Sequence, residues 1–147
     1  MGSRDLALDF GEGASRAIMN EIAILVVTYN RKKLLQENIE AILKQTYGKF
    51  DYFICDNASI DGTRELVEAC MENDGRIHYD HTGANLGGAG GFSYGLKKIV
   101  KKGYQYCWMM DDDAVPEPDA LERLVRAAEL LGKDDFSFLA STVLWTD

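Results

Sequence analysis

Apolar runs of strand length alternate along the chain with segments whose apolar residues recur at helical spacing. The first run, from Ile22 to Thr28, is continuous and rich in β-branched residues, as is typical of a strand covered on both faces. This alternation predicts an α/β fold with a mostly parallel sheet and helices on both of its faces. We predict strands over residues 22–28, 50–55, 76–80 and 104–110, a last strand-like run over 136–145, and helices over 31–47, from Asp61 onwards, over 92–102 and over 116–131.

Two finer predictions concern burial. The run over residues 104–110 has almost no polar residue, which favours a central position in the sheet. Helical periodicity also predicts which faces of the second and fourth helices are buried. These faces comprise Leu66, Val67, Cys70 and Met71 in one helix and Leu121, Leu124, Val125, Ala128 and Leu131 in the other.

Length and charge limit the class of protein. A chain of 147 residues suffices for one domain, which we place over residues 19–147; residues 1–18 lack any sustained period and are expected to be a leader or a disordered arm. A net charge of −8 without a basic stripe argues against nucleic-acid binding, and no apolar stretch approaches a membrane span. Three widely spaced cysteines favour a reducing, cytoplasmic setting.

Polar clusters follow three of the predicted strands. They are Thr28-Tyr29-Asn30, Asp56-Asn57 and Asp111-Asp112-Asp113. Because the carboxyl ends of parallel strands meet at one edge of the sheet, where ligands of α/β proteins bind, these clusters are expected to converge.

The three consecutive aspartates are the most distinctive of these clusters. In an extended segment Asp111 and Asp113 point to one side and Asp112 to the other. Two carboxylates on one side of a strand end suit Mg²⁺ or Mn²⁺, and a cation would relieve their mutual repulsion. The alternative is a solvated acidic loop, or the start of the helix that follows Pro116.

The turn after the second strand carries a further candidate ligand. Ser59 or Asp61 could cap the following helix without any ligand. Capping does not account for Asp56, whose carboxylate could accept a hydrogen bond from a pyrimidine N–H or from ribose hydroxyls. We therefore favour a ligand-binding role for Asp56.

A glycine-dense segment precedes the third helix. Residues 85–92 read Asn-Leu-Gly-Gly-Ala-Gly-Gly-Phe, which does not fit the spacing or the position of a dinucleotide fingerprint. The segment is either a flexible loop or a helix start whose N–H groups contact phosphate or sugar, and we favour the second. Arg31, with Lys32 and Lys33, either offsets a pyrophosphate or is a solvated surface charge.

Taken in order, these four segments resemble family 2 glycosyltransferases of the GT-A fold, a Rossmann-like architecture. The resemblance covers residues 20–145, and its glycine-rich part is most similar to the galactofuranosyl- and rhamnosyltransferase branch. It rests on Val26-Val27-Thr28-Tyr29-Asn30-Arg31, Cys55-Asp56-Asn57-Ala58-Ser59 with Asp61-Gly62-Thr63, Asn85-Leu86-Gly87-Gly88-Ala89-Gly90-Gly91-Phe92, and Met110-Asp111-Asp112-Asp113.

The resemblance implies a binding site for a nucleoside-diphosphate sugar, linked to UDP or dTDP. Mn²⁺ or Mg²⁺ would be held by Asp111 and Asp113, the DxD-type motif of the family. The nucleotide-sugar itself would contact Thr28, Tyr29, Asn30, Arg31, Asp56, Asn57, Asn85, Gly87, Gly88, Asp111 and Asp112.

The resemblance also implies an inverting transfer to a glycan or lipid-linked acceptor during polysaccharide or cell-wall synthesis. The general base of the family would lie beyond Asp147, so no catalytic residue is expected in this chain. We expect a truncated, donor-binding part that is at most a weak catalyst alone and that self-associates through uncovered apolar surface. A full-length parent is expected in the cytoplasm or peripherally at the inner membrane face.

Two other hypotheses compete with this one. A nucleotidyltransferase also binds nucleotide and metal on an α/β sheet, but normally shows a glycine- and lysine-rich turn where this chain has Thr28-Tyr29-Asn30. A non-catalytic nucleotide- or metal-binding module would use the acidic trio structurally, and metal-dependent nucleotide binding would count against that reading.

Overall fold

The computed structural model describes residues 20–132 and 135–144. In these residues strands and helices alternate, and their bounds agree with the predicted pattern to within a few residues except at the start of α3 and α4. The elements are β1 (Ile22–Thr28), α1 (Lys32–Leu43), β2 (Phe50–Asp56), α2 (Thr63–Asn73), β3 (Ile77–His81), α3 (Gly87–Lys102), β4 (Tyr106–Asp111) and α4 (Ala120–Leu131). No helix in this part of the chain has the length and apolar character needed to cross a bilayer.

The four strands form one parallel sheet in the order β3-β2-β1-β4. The register aligns the carboxyl ends of the strands: Thr28 pairs with Asp56 on one side, and Val27 pairs with Asp111 on the other. The predicted α/β class with a parallel sheet is therefore confirmed. This register also brings the loops after the strands to one edge.

Helices cover both faces of the sheet, as predicted. One core cluster joins side chains of β1, β2 and β3 to Leu35 of α1, Val67 of α2 and Leu121 of α4. The opposite cluster joins Leu25 and Cys55 to residues of α3, the helix that covers this face in the described part of the chain. Side chains of β1 enter both clusters and the strand is buried along almost its whole length, which explains why its sequence is apolar throughout.

Helix α3 lies very close to β1 because glycines face the strand. A Cβ at Gly91 would stand 2.5 Å from Val27 Cγ1, and one at Gly95 would stand 2.6 Å from Leu25 Cδ1. These two glycines are one turn apart, so they form a flat stripe that fits against the sheet. The glycine-dense segment is thus the first part of a helix, and α3 begins at Gly87 rather than at the predicted residue 92.

Several position predictions are wrong. In the described sheet β4 is an edge strand rather than a central one, because apolar residues indicate covered faces and do not indicate a neighbour on each side. Residues 136–144 form neither strand nor helix, and α4 begins at Ala120 rather than at residue 116. Met71 and Leu131, predicted to be buried, are exposed near the ends of their helices. The prediction for residues 1–18 falls outside the described residues.

Candidate functional site

Four loops meet at the carboxyl edge of the sheet, one after each strand. Every residue predicted to contact a nucleotide-sugar lies in these loops or at the adjoining ends of β1, β2, β4 and α3. In open parallel sheets this edge is where ligands bind, because strand ends and helix N-termini leave backbone groups free there. The structure thus places the predicted residues on one rim.

Burial alternates along the three aspartates. Asp112 is only 3% exposed, whereas Asp111 and Asp113 are open to solvent. The Thr28 hydroxyl donates to Asp112 Oδ2 at 2.8 Å, and Arg31 Nη1 donates to Asp112 Oδ1 at 2.8 Å. Both oxygens of Asp112 are therefore bonded within the chain, and this carboxylate anchors the strand end of β4 to that of β1.

Arg31 connects the buried carboxylate with an exposed one. The same Nη1 that binds Asp112 lies 3.4 Å from Asp113 Oδ2, and the Arg31 side chain is about half exposed. The hydrogen bond to Asp112 raises the pKa of Arg31, and the charges of all three aspartates act in the same direction. The guanidinium is a permanent positive charge beside three negative ones.

A buried amide holds the segment that follows the aspartates. Asn38, on the apolar face of α1, donates from Nδ2 to the carbonyl oxygen of Ala114 at 2.7 Å. Its Oδ1 accepts a hydrogen bond from the hydroxyl of Tyr52, and burial raises the pKa of that hydroxyl. The turn after β4 is consequently fixed from inside the core.

The exposed carboxylates fit a divalent cation only as part of a larger ligand set. Asp111 and Asp113 supply the hard oxygen donors that Mg²⁺ and Mn²⁺ prefer. Among the described residues no group of three or more His, Cys, Asp or Glu side chains could hold a metal ion. An ion here would complete its coordination with water or with phosphate oxygens, which is the usual arrangement for Mg²⁺ in nucleotide sites.

The Asp56 carboxylate is fully buried at the end of β2. Its Oδ1 accepts the N–H of Ser59 at 2.8 Å, and its Oδ2 accepts the hydroxyl of Tyr79 at 2.6 Å. Burial raises the pKa of Tyr79, and the hydrogen bond to Asp56 raises it further, so this phenol remains a donor. Asp56 shapes the loop after β2, contrary to the expectation that local structure would not account for it.

Side chains also join the loop after β1 to the loop after β2. Asn30 donates its backbone N–H to Ser59 Oγ at 2.8 Å and accepts the N–H of Ile60 on Oδ1 at 2.8 Å. Asp61 Oδ2 accepts the N–H of Lys32, the first residue of α1. Asn30 therefore does not cap α1; the N-cap position belongs to Arg31, and a carboxylate from the neighbouring loop satisfies the helix start.

Burial raises the pKa of Asp61, but several hydrogen bonds together outweigh it, so the pKa lies below its ordinary value. The donors are the Thr63 hydroxyl at 2.6 Å and the N–H groups of Lys32 and Thr63. The Asp61 carboxylate is thus held in its charged form where α1 and α2 both begin, consistent with the preference of helix N-termini for negative charge.

Asn57 lies between β1 and the start of α3. Its N–H donates to the carbonyl of Thr28, and its Nδ2 donates to the carbonyl of Gly87 at 2.9 Å. Its Oδ1 is a buried oxygen without a hydrogen-bond partner among the described residues. The amide packs against Gly91, where a Cβ would stand 3.0 Å from Nδ2.

The N-terminus of α3 opens toward the rim. Gly87 and Gly88 are exposed, and a Cβ at either would meet no atom within 4 Å. Asn85 Oδ1 accepts the N–H of Gly87 at 2.9 Å and fixes the turn into the helix. Tyr29 is exposed at the end of β1 on the same rim. Next to α3, Asp111 borders an open groove whose other walls are the apolar side chains of Phe92, Leu96, Met109 and Met110.

Two residues that build this rim, Asn38 and Tyr79, were not predicted from the sequence as site residues, and a third, Ser59, was predicted only as a possible helix cap. Asn38 is a buried amide in an otherwise apolar helical stripe, and that mismatch is the signal that could have revealed it. Ser59 follows Asp56 by three residues, a spacing typical of side-chain capping. Tyr79 carries no such signal, because only the sheet register brings its hydroxyl to Asp56.

Curated relatives of the chain are glycosyltransferases. Glycosyltransferase GlyG of Streptococcus pneumoniae is 32% identical over 108 residues, which cover 74% of this chain and 35% of GlyG. Galactofuranosyltransferase GlfT1 of Mycolicibacterium smegmatis is 32% identical over 95 residues, covering 65% of this chain and 30% of GlfT1. The chain therefore spans about a third of the length of these relatives.

Solved structures show the same fold. Mannosyltransferase PcManGT from Pyrobaculum calidifontis, in complex with GDP-Man and Mn²⁺, aligns with a TM-score of 0.63 at 24% identity and covers 74% of this chain and 32% of that one. TarS 1–349 of S. aureus in complex with UDP-GlcNAc aligns with a TM-score of 0.66 at 22% identity, covering 74% of this chain and 31% of that one. The profile of "Glycosyl transferase family 2" matches residues 23–139. On this match and these relatives, the chain belongs to glycosyl transferase family 2.

Proposed function

We propose that this chain is the donor-binding part of a metal-dependent, inverting glycosyltransferase. Its donor would be a sugar linked to UDP or dTDP, and its acceptor a glycan or a lipid-linked glycan of a polysaccharide or cell wall. The observation that carries the proposal is the pair of exposed carboxylates, Asp111 and Asp113, held by the anchored Asp112 on a rim of family 2 loops. This geometry is open to an anionic ligand only if a cation accompanies it.

The nucleoside would bind over the loops after β1 and β2. Tyr29 offers an exposed aromatic ring for the base, and Asn30 is held in place by its bonds to the neighbouring loop. Asp56 has two internal partners, yet each carboxylate oxygen can accept a second hydrogen bond. Thr28, Arg31 and Asn57 would line the same pocket, with Thr28 and Arg31 acting largely through Asp112.

The diphosphate would lie between the aspartates and the start of α3. Asn85, Gly87 and Gly88 leave the backbone of the first helical turn accessible, and helix N-termini favour anions. Asp111 and Asp113 would hold Mn²⁺ or Mg²⁺ against the diphosphate from the other side. The ion supplies a positive charge that stabilises the departing nucleoside diphosphate. The complex of PcManGT with GDP-Man and Mn²⁺, a protein of the same fold, supports this assignment.

The remaining chemistry needs groups other than those described here. An acceptor hydroxyl attacks the anomeric carbon in line with the leaving diphosphate, and a general base within about 3 Å removes its proton. We propose that this base lies outside the matched part, because this chain spans only about a third of the length of its relatives. The isolated chain is accordingly proposed to bind donor but to turn over poorly. We further propose a cytoplasmic location, peripheral at the inner membrane face for a longer parent.

Calorimetry with nucleotides tests the proposal. UDP, dTDP and GDP would be titrated into the purified chain with Mn²⁺ and again with EDTA, beside Asp111→Ala/Asp113→Ala and a control, Glu68→Ala, whose exposed side chain lies on α2. We expect binding that requires Mn²⁺, survives in the control and disappears in the double variant. Binding that is unaffected by EDTA and by the double variant would instead support a non-catalytic module with a structural acidic trio.

A further inference from the structure

Arg31 lies beside three adjacent carboxylates and pairs with two of them. Asp111, Asp112 and Asp113 carry three negative charges within one strand end, and mutual repulsion disfavours that arrangement unless a cation is near. Among the described residues, Arg31 makes the ion pairs that reach this trio. One nitrogen, Nη1, makes both of them, at 2.8 Å to Asp112 Oδ1 and at 3.4 Å to Asp113 Oδ2.

The two contacts of Arg31 differ in strength and in environment. Asp112 is buried, and its second oxygen is bonded to the Thr28 hydroxyl, so this pair is short, enclosed and structural. Asp113 is about half exposed, and its contact is longer than an ordinary charge-assisted hydrogen bond. Rupture of the second contact costs little, because water can replace it.

We infer that Arg31 is an internal counter-ion that occupies Asp113 in the absence of a divalent cation and releases it when the cation binds, while remaining paired with Asp112. This inference rests on the proposed metal site. Arg31 and the metal ion would compete for the carboxylate of Asp113, and their positive charges would repel each other. Arg31 is thus a positioning residue that makes metal binding weak without nucleotide.

The positive charge of Arg31, which disfavours the metal ion, favours binding of the nucleotide. Once Asp113 binds the metal, the guanidinium still lies on the rim, half exposed and paired through one nitrogen with Asp112. Its remaining N–H groups can then face an anionic diphosphate. Arg31 therefore couples the two ligands: it lowers the affinity for the metal alone and raises the affinity for nucleotide with metal.

The inference predicts that loss of the Arg31 charge raises the affinity for Mn²⁺ alone and lowers the affinity for UDP in the presence of Mn²⁺. Free Mn²⁺ would be measured by electron paramagnetic resonance in titrations of the wild type, Arg31→Gln, Arg31→Lys and a control, Lys33→Gln, whose exposed cation is two residues away. Removing one positive charge a few ångströms from the ion should tighten Mn²⁺ binding about three- to ten-fold in Arg31→Gln. Arg31→Lys and Lys33→Gln should remain within about two-fold of wild type. UDP binding at saturating Mn²⁺ should weaken in Arg31→Gln.

Each outcome separates this inference from the proposed function. If the wild type binds Mn²⁺ and UDP together but Arg31→Gln binds Mn²⁺ alone equally or more weakly, Arg31 only supports the fold and the inference is wrong. If neither protein binds Mn²⁺ alone, the inference is also wrong, since the loss of Arg31 should have revealed the site. If the wild type does not bind UDP in the presence of Mn²⁺, the proposed function itself is wrong.

A measurement on the wild type avoids any folding defect of the variants. The side-chain Nε–Hε signal of Arg31, assigned by its absence in Arg31→Lys, would be followed by nuclear magnetic resonance while Mg²⁺ is added. We expect it to shift together with the backbone amide of Asp113. A shift of Asp113 with no change at Arg31 would show that the guanidinium does not take part in the exchange.

Discussion

At the residue scale, neighbouring aspartates have different tasks because they face different surroundings. Asp112 is buried with a hydroxyl and a guanidinium as partners, so its charge is part of the fold. Asp113 is about half exposed and has one long contact. Three identical side chains in sequence therefore divide into one buried anchor and two exposed carboxylates, which we propose as ligands of a metal ion.

This division predicts different stability changes for matched variants. Asp112→Asn replaces an acceptor with an amide that presents a donor or a weaker acceptor to Arg31 and Thr28, and it leaves the guanidinium without its short ion pair. We expect a loss of about 2 kcal/mol in the free energy of unfolding, as for other hydrogen bonds to charged groups. Asp113→Asn should change it by less than about 0.5 kcal/mol, as is usual for exposed pairs.

Urea unfolding followed by circular dichroism would measure both changes under one buffer condition. Equal losses in the two variants, or a larger loss in Asp113→Asn, would contradict the division of roles between anchor and ligand.

At the scale of elements, α3 combines two demands on its glycines. Gly91 and Gly95 face β1 and let the helix axis approach the sheet, while Gly87 and Gly88 leave the first turn open to the rim. Asn57 contacts a glycine of each pair, because its Nδ2 donates a hydrogen bond to the carbonyl of Gly87 and its side chain packs against Gly91. The position of the helix N-terminus thus depends on close packing one turn further along.

Two alanine substitutions in α3 should shift stability in opposite directions. A Cβ at Gly91 meets the stiff, β-branched Val27 at 2.5 Å, so Gly91→Ala should destabilise the chain by about 1–3 kcal/mol. A Cβ at Gly88 meets nothing within 4 Å and its φ is not left-handed, so Gly88→Ala should stabilise it by about 0.5 kcal/mol. Thermal denaturation of both variants checks this; a stable Gly91→Ala would mean that α3 moves away from β1 without cost.

The strands and helices themselves were largely predictable from sequence, but the order of the strands in the sheet was not. Hydrophobic periodicity located all four strands and the central parts of the helices, because burial on one or two faces leaves a direct pattern. The start of α3 was missed because glycines have low helix propensity, so a glycine-rich first turn does not resemble a helix in sequence. The edge position of β4 could not be deduced, since an apolar strand has covered faces whether or not it has two neighbours.

The candidate site shows the same limit in its hydrogen bonds. The residue types at the strand ends predicted which loops form the rim, because parallel strands must end together. The link from Thr28 to Asp112, separated by 84 residues, and the link from Tyr79 to Asp56 depend on the sheet register and on rotamers. Periodicity carries no information about either link.

At the scale of the whole molecule, the two edges of the described sheet differ in their protection. The β3 edge is five residues long and carries His78, Asp80 and His81, and such short, polar edges resist pairing with another chain. The β4 edge has the sequence YCWMMD, and Met109 is 49% exposed beside the groove of Phe92 and Leu96. We propose that copies of this chain self-associate through the β4 edge.

Self-association through this edge should respond to a charge placed on it. Met109→Lys places an ammonium group on the exposed face of β4. Natural edge strands use such charges to prevent pairing, so this substitution should lower the association constant at least about ten-fold. Met71→Lys, at an exposed methionine of α2, changes the net charge equally and should leave association unchanged. Sedimentation velocity over a range of concentrations measures both. Both variants add the same charge, so a change in general repulsion between copies would affect them equally. An equal decrease of the association constant in the two variants would therefore place the interface elsewhere.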